Sequence, residues 1–93
     1  MLKISIIEAL DKSVTIRLEG QVRGLWVEEL RRSCEQLLAR GSSLRLDLND
    51  VSFVDIHGVA LCRTLRERNV AILRCSPFVA EQLKGYRHEG DLA

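Results

Sequence analysis

The segment 44–58 constrains the fold of this chain more than any other part of the sequence. Leucines and charged residues alternate over 44–48, which is the pattern of a half-buried strand. Asp55 follows a short stretch of polar and apolar residues and precedes a run with helical apolar spacing. Aspartate is a favoured N-cap because its carboxylate accepts hydrogen bonds from the N–H groups of the first helical turn. The segment therefore predicts a strand over 44–48 and a loop that leads from Asn49 into a helix starting near Asp55.

The residues before this segment predict a hairpin and a helix. Apolar and polar residues alternate over 2–6 and over 14–19, with turn-forming residues between them at 10–13, as is typical of an antiparallel hairpin. From Leu25 the apolar spacing becomes helical, and Gly41 is suited to end that helix.

The residues after the segment predict one more strand and one more helix. The helix that starts near Asp55 should run to about residue 68. An apolar run without alternation over 70–73 indicates a strand covered on both faces. Ser76 and Pro77 should open a last helix, with the serine as its cap and the proline at its first position, and we expect this helix to stop at Gly85.

This order of elements predicts an α/β fold. A mixed β-sheet is packed with helices, and an N-terminal hairpin is followed by two right-handed βαβ crossovers, with the 44–48 strand in the centre. The chain has 93 residues, of which 46% are hydrophobic and 29% charged, so that one core is the expected outcome. We expect a single domain over 1–85 and a polar C-terminal tail over 86–93.

Composition also excludes several classes of partner. The formal net charge of +1 supplies no field that would attract nucleic acid, and the arginines of the second helix are expected to form a solvated face. The N-terminus lacks the layout of an export signal. No apolar run approaches the roughly 18 residues that a membrane span needs. We therefore expect a cytoplasmic protein without membrane insertion or nucleic-acid binding.

Motifs of catalysis and of metal binding are absent from the sequence. There is no nucleophile elbow, phosphate-binding loop or zinc-protease motif. Cys34, Cys62 and Cys75 have wide, irregular spacing and apolar neighbours, so we expect small buried side chains in a reducing compartment. Asp47 lies at an alternating position within a strand, and Asp55 fits the role of a helix cap better than that of a metal ligand. We expect no enzymatic activity, no metal and no cofactor.

A strand, an acidic cap and a glycine at the first turn, Gly58, together resemble the signature of the STAS domain family, the sulfate transporter and anti-sigma factor antagonist family. The resemblance covers nearly the whole chain, and Gly20 after the second strand supports it. It implies a non-catalytic protein–protein interaction module of bacterial signal transduction and transcription regulation. Family members usually continue with one more strand and helix, so the resemblance implies a sheet edge that is open or covered by a partner.

Two positions depart from the switchable members of that family. Those members carry a serine or threonine, phosphorylated by a partner kinase, directly before this glycine, where the present chain has His57. An aspartate that usually follows Gly20 three positions later is replaced by Arg23. His57 would be a fixed surface residue at a partner interface, a phosphohistidine or pH-sensitive contact, or a structural hydrogen-bonding group. Arg23 would make the site basic or would be a solvated cation.

The predicted partner-binding residues lie at the carboxyl end of the central strand, where α/β sheets tend to present ligands and partners. Trp26 would be part of the core or, since tryptophan is frequent in interface hot spots, an anchor for the partner. The full set is Ser52, Asp55, Ile56, His57 and Gly58, together with Arg23 and Trp26.

The resemblance favours an anti-sigma factor antagonist-like protein that binds an anti-sigma factor or a kinase-like ATPase and is not switched by serine or threonine phosphorylation. One alternative is an accessory STAS subunit of a transporter ATPase of the phospholipid-trafficking type. Another is a STAS domain that binds a small ligand such as a nucleotide or lipid. The sequence leaves the oligomeric state open.

Overall fold

The computed structural model describes the backbone of residues 1–92 and the side chains of residues 1–84. The elements follow the predicted order and are β1 (Leu2–Leu10), β2 (Ser13–Val22), α1 (Leu25–Ala39), β3 (Ser43–Val54), α2 (Ile56–Glu67), β4 (Ala71–Leu73) and α3 (Pro77–Leu92).

The four strands form one mixed sheet in the order β1-β2-β3-β4. The predicted hairpin is confirmed, since β1 pairs antiparallel with β2 from Leu2 opposite Gly20 to Leu10 opposite Ser13, with a bulge between Ile6 and Glu8. Strands β2, β3 and β4 run parallel to one another. β3 lies in the interior of the sheet, between β2 and β4. The predicted α/β fold class and the central position of the 44–48 strand are therefore confirmed.

β3 is longer than the alternation predicts. It continues to Val54, so the expectation of a loop from Asn49 is wrong. Parallel pairing with β2 continues to Val54 but shifts register between Asp47 and Asp50 and again between Val51 and Phe53. Val51 and Val54 are buried. The polar pair Asn49 and Asp50 interrupts the alternation because it lies at an irregularity of the ladder, which bends a strand without ending it.

The side chains of β4 are exposed or partly exposed, which corrects the expectation of a strand covered on both faces, and β4 is an edge strand of three residues. It pairs only with residues 45–47 of β3. Ala71 is exposed and Ile72 and Leu73 are partly exposed, whereas Val70, directly before the strand, is buried. An apolar run cannot show whether a second strand will lie beside it, so the sequence alone did not identify the edge.

The core lies between the sheet and the helices. Residues of β2 and β3 such as Ile16, Leu46 and Leu48 are almost inaccessible to solvent. Two of the three cysteines are buried there, as predicted, while Cys75 is partly exposed. Burial raises the pKa of Cys34 to about 12 and that of Cys62 to about 11. These two thiols are therefore uncharged packing groups.

α3 begins as predicted but ends later. The Ser76 hydroxyl accepts a hydrogen bond from the Val79 N–H at 3.2 Å. The helix continues to Leu92, so the expected stop at Gly85 is wrong, because a glycine costs a helix only about 1 kcal/mol. The side chains of 85–92 and all of residue 93 lie outside the described residues, and the division into a domain over 1–85 and a tail over 86–93 stays a prediction. No helix in the described part of the chain is long and apolar enough to cross a membrane.

Candidate functional site

The carboxylate of Asp55 joins the starts of two helices. One oxygen accepts the N–H of Gly58 in the first turn of α2 at 2.8 Å, which confirms the predicted N-cap. The other oxygen accepts the N–H of Gly24, the residue that precedes α1, at 3.0 Å. Gly24 has no side chain with which to cap α1. One aspartate therefore accepts an N–H group in the first turn of α2 and one directly before α1, and it ties the starts of the two helices together.

The charge of Asp55 suits this role. Partial burial acts to raise its pKa, but the N–H groups of Gly24 and Gly58 favour the charged form more strongly, and the pKa lies below its usual value. The carboxylate is therefore ionised at neutral pH. Its negative charge also faces the positive ends of two helix dipoles, which stabilises this arrangement further.

Gly58 is buried and allows α2 to approach the sheet closely. A Cβ atom at this position would lie 2.7 Å from Val54 Cγ1 and 2.8 Å from the Val22 carbonyl oxygen. The Asp55 N–H donates to that same Val22 carbonyl at 3.0 Å. The packing between α2 and the ends of β2 and β3 thus requires the glycine, and Gly58 lies beneath the surface that a partner would meet.

Exposed apolar side chains flank the point where Asp55 joins the starts of α1 and α2, which we call the Asp55 junction. Ile56, in the first turn of α2, is 60% exposed, and Leu25, in the first turn of α1, is 87% exposed. Each directly follows one of the residues joined by the hydrogen bond between Asp55 and Gly24. His57 is also exposed. Leu25 is not among the predicted partner-binding residues, although its position at a predicted helix start and off the buried stripe was an available signal.

Arg23 and Trp26 lie at the same junction. The backbone of Arg23 lies between Val22, which accepts the Asp55 N–H, and Gly24, which donates to Asp55. Its guanidinium is exposed and donates to the side chain of Gln21 at 3.2 Å. Trp26 is half-buried and packs against the core. A shallow groove of about 300 Å³ lies between Trp26, Leu25 and Met1.

We call the exposed residues of this region, together with the half-buried Trp26, the helix-start surface; its members are Arg23, Leu25, Trp26, Ile56 and His57. Asp55 lies at its centre. Ser52 is not one of its members: it lies on β3 rather than in a loop, and its hydroxyl donates to the Gly20 carbonyl at 3.4 Å.

An ion pair that the sequence did not reveal, between the buried Asp47 of β3 and the exposed Arg74, lies further back along the central strand. Asp47 is 3% exposed and accepts from Arg74 Nη2 at 2.5 Å, from Arg74 Nε at 3.3 Å and from the Asn49 N–H at 3.0 Å. Hydrogen bonds from Arg74 hold the pKa of Asp47 below its usual value. Arg74 has a φ of 57°, a backbone conformation that residues other than glycine rarely adopt. The pair ties the connection between β4 and α3 to the central strand.

The acidic residues near the site act separately. Asp47 pairs with Arg74, Asp55 caps α2 and accepts the N–H of Gly24 before α1, and Asp50 accepts from Arg17 at 2.6 Å. Over the part of the chain that the structure describes, no group of three or more histidine, cysteine, aspartate or glutamate residues is arranged to hold a metal ion.

Comparisons with known proteins identify the fold. No family model matches the chain, and no curated protein matches its sequence. The anti-sigma factor antagonist SpoIIAA, in its unphosphorylated form, matches with a TM-score of 0.70 and 22% identity, over 88% of this chain and 82% of that protein. An uncharacterized DUF3478-family protein with a SpoIIAA-like fold, from Shewanella loihica, matches with a TM-score of 0.55 and 18% identity, over 83% and 69%. The chain therefore has the STAS-like fold that the sequence resemblance implied.

Proposed function

We propose that this chain is a non-catalytic interaction domain of the anti-sigma factor antagonist type and binds a protein partner through the helix-start surface. The observation that carries the proposal is the exposure of Leu25 and Ile56 on either side of the Asp55 junction. Exposed apolar groups rimmed by polar residues are typical of protein interaction sites. Because the Asp55 junction holds both side chains at the starts of helices, binding should cost little conformational entropy.

The partner that this proposal favours is an anti-sigma factor or another kinase-like ATPase. The support is the likeness in fold to SpoIIAA, which is an anti-sigma factor antagonist, together with the place of the helix-start surface at the carboxyl ends of β2 and β3. Open α/β sheets tend to present their ligands and partners at that edge.

We further propose that binding is not switched by serine or threonine phosphorylation. His57 stands where switchable members of the STAS family carry the phosphoacceptor, and neither Ile56 nor His57 has a hydroxyl group. The Ser52 hydroxyl lies on β3 and donates to the Gly20 carbonyl. A serine or threonine kinase therefore adds no phosphate charge to the helix-start surface, and the partner is bound constitutively.

The test begins with the partner. The tagged chain is purified from its own host, and co-purifying proteins are identified by mass spectrometry. Binding of the identified partner is then compared for the parent chain and for His57→Glu, which places a negative charge where a phosphate would lie. We expect this substitution to weaken binding by more than about fivefold, because an uncompensated charge at an interface is costly. Stability should hardly change, since an acidic side chain is tolerated near a helix N-terminus.

Arg66→Glu is the matched control, because Arg66 is exposed on the same helix but near its other end. Its binding should remain within about twofold of the parent value. Leu25→Ala provides a second variant of the surface and should weaken binding without loss of stability. If Arg66→Glu weakens binding as much as His57→Glu does, or if it alone weakens binding, the partner surface has been placed wrongly.

A further inference from the structure

β1 is a long sheet edge. It spans nine residues, or about 30 Å, and pairs with β2 on one side only. No strand among the described residues covers its other side. The opposite edge of the sheet, β4, has only three residues. A long edge strand exposes a row of unpaired backbone N–H and C=O groups, and natural proteins usually protect such edges or use them for pairing.

β1 is also unusually apolar for an exposed edge. Ile6 is 59% exposed, Ile7 49% and Leu10 65%. An open groove of about 330 Å³ runs beside the strand, lined by Ile4 and Ile6 from β1 and by residues of α1. The groove provides space for an apolar side chain from a neighbouring strand.

The charges of β1 are self-complementary about Ser5. The bulge leaves Ile7 without a partner in β2, since Ile6 lies opposite Ile16 and Glu8 lies opposite Thr15. Counted in ladder steps, Lys3 therefore lies two steps before Ser5 and Glu8 two steps after it. Steps of two place these residues on the same face of the strand.

We propose that β1 pairs antiparallel with β1 of a second copy of this chain, about a two-fold axis at Ser5. A homodimer with one continuous eight-stranded sheet results, in which the same patch is used by both copies. In this register the paired charged residues have opposite charges and the paired apolar residues lie opposite one another, while Ile7 stays unpaired at the bulge. The pairs across the axis are Ser5 with Ser5, Ile4 with Ile6, Lys3 with Glu8, Leu2 with Ala9 and Met1 with Leu10.

The two charged residues are free to take part in this pairing. The Lys3 side chain is 72% exposed and lies 3.9 Å from Glu19, and the Glu8 side chain is 54% exposed and lies 3.6 Å from Arg45. These contacts within one chain are long and solvated, and such pairs contribute little. Both residues can therefore contact the second copy without the loss of a strong interaction.

Charge reversal tests the register. Sedimentation velocity over a range of concentrations gives the dimer dissociation constant of the full chain. Lys3→Glu and Glu8→Lys each place like charges opposite one another twice in the dimer, so each should raise this constant about tenfold or more. The double variant Lys3→Glu/Glu8→Lys restores opposite charges and should restore dimerisation. Lys84→Glu and Glu67→Lys, on exposed helical positions, are the matched controls and should leave the constant unchanged.

A cross-link provides a second measurement. Opposed residues in an antiparallel pair have Cα atoms roughly 4.5–5.5 Å apart, which is within the range of a disulfide. Ser5→Cys should therefore form a covalent dimer under mild oxidation, whereas Thr64→Cys, exposed on α2, and the parent chain should not. A monomer at all concentrations, a dimer that the single charge reversals leave intact, or a double variant that stays monomeric would each overturn the proposal. Both tests are independent of the partner and so leave the proposed function unaffected.

Discussion

Replacing Gly58 with alanine tests the packing on which the helix-start surface rests. The added Cβ would lie 2.7 Å from Val54 Cγ1, 2.8 Å from the Val22 carbonyl oxygen and 3.0 Å from Val22 Cγ1. A side-chain methyl group can move to a new position, but the Val22 carbonyl belongs to β2 and also accepts the Asp55 N–H. Relief of the contact therefore requires a shift of α2 away from the sheet.

The expected magnitude is the difference of two opposing effects. Overpacking in a tight site costs about 1–3 kcal/mol, and the backbone contact places Gly58→Ala at the upper end of that range. Glycine to alanine inside a helix otherwise gains about 1 kcal/mol. The net expectation is a loss of about 1–2 kcal/mol in the free energy of unfolding. For a domain of this size, that corresponds to a fall in Tm of about 5–15 °C.

Urea unfolding followed by the fluorescence of Trp26 and by circular dichroism measures this loss. Thr64→Ala is the control, because Thr64 is exposed on the same helix and its replacement raises helix propensity without a new contact. It should leave stability within about 0.5 kcal/mol of the parent or raise it slightly. If Gly58→Ala is as stable as the parent chain or more stable, α2 does not approach β2 as closely as described, and the reasoning fails.

Three further predictions concern the sheet and the proposed lack of a switch. Leu46→Ala should cost about 2–5 kcal/mol in urea unfolding, because Leu46 is fully buried in the central strand; a cost below about 1 kcal/mol would contradict this. Because the pKa of Asp47 is lowered in the folded state, its contribution to stability is present above about pH 4 and is lost as the pH falls further. Asp47→Asn should therefore be less stable than the parent at pH 7, and urea titrations should show this difference narrowing towards pH 3; an equal difference at both pH values would argue against an ionised pair with Arg74. Incubation with ATP and an anti-sigma factor kinase should add no phosphate over 52–58, and a stoichiometric phosphate at Ser52 or His57 in mass spectrometry under acid-free handling would refute constitutive binding.

Part of the candidate site could be predicted from sequence because it depends on local contacts. The cap at Asp55 acts on a residue three positions later, and the serine cap of α3 at Ser76 has the same reach. Such short-range pairs, like the periodicity of helices and the alternation of the hairpin, are visible in a single sequence. Ile56 and His57 were therefore correctly expected at the start of a helix.

Contacts between distant residues were not visible in the same way. The bond from Gly24 to Asp55 joins residues 31 positions apart, and the Asp47–Arg74 pair joins residues 27 positions apart. The sequence does not show which carboxylate will accept a hydrogen bond at the start of a second helix, or which will pair with an arginine. Both depend on where the folded chain brings distant residues together. The interpretation of Asp55 as the cap of α2 alone was for this reason incomplete.

The sequence by itself determined the order of strands and helices and the α/β class, because each follows from the local pattern of side chains. Only the tertiary structure decided the full length of β3 and the edge position of β4, since both depend on whether a neighbouring strand is present to pair with. The close approach at Gly58 and the exposure of Leu25 were decided there as well. Packing and exposure depend on surfaces that separate segments contribute, and the sequence of one segment does not show which other segments will pack against it.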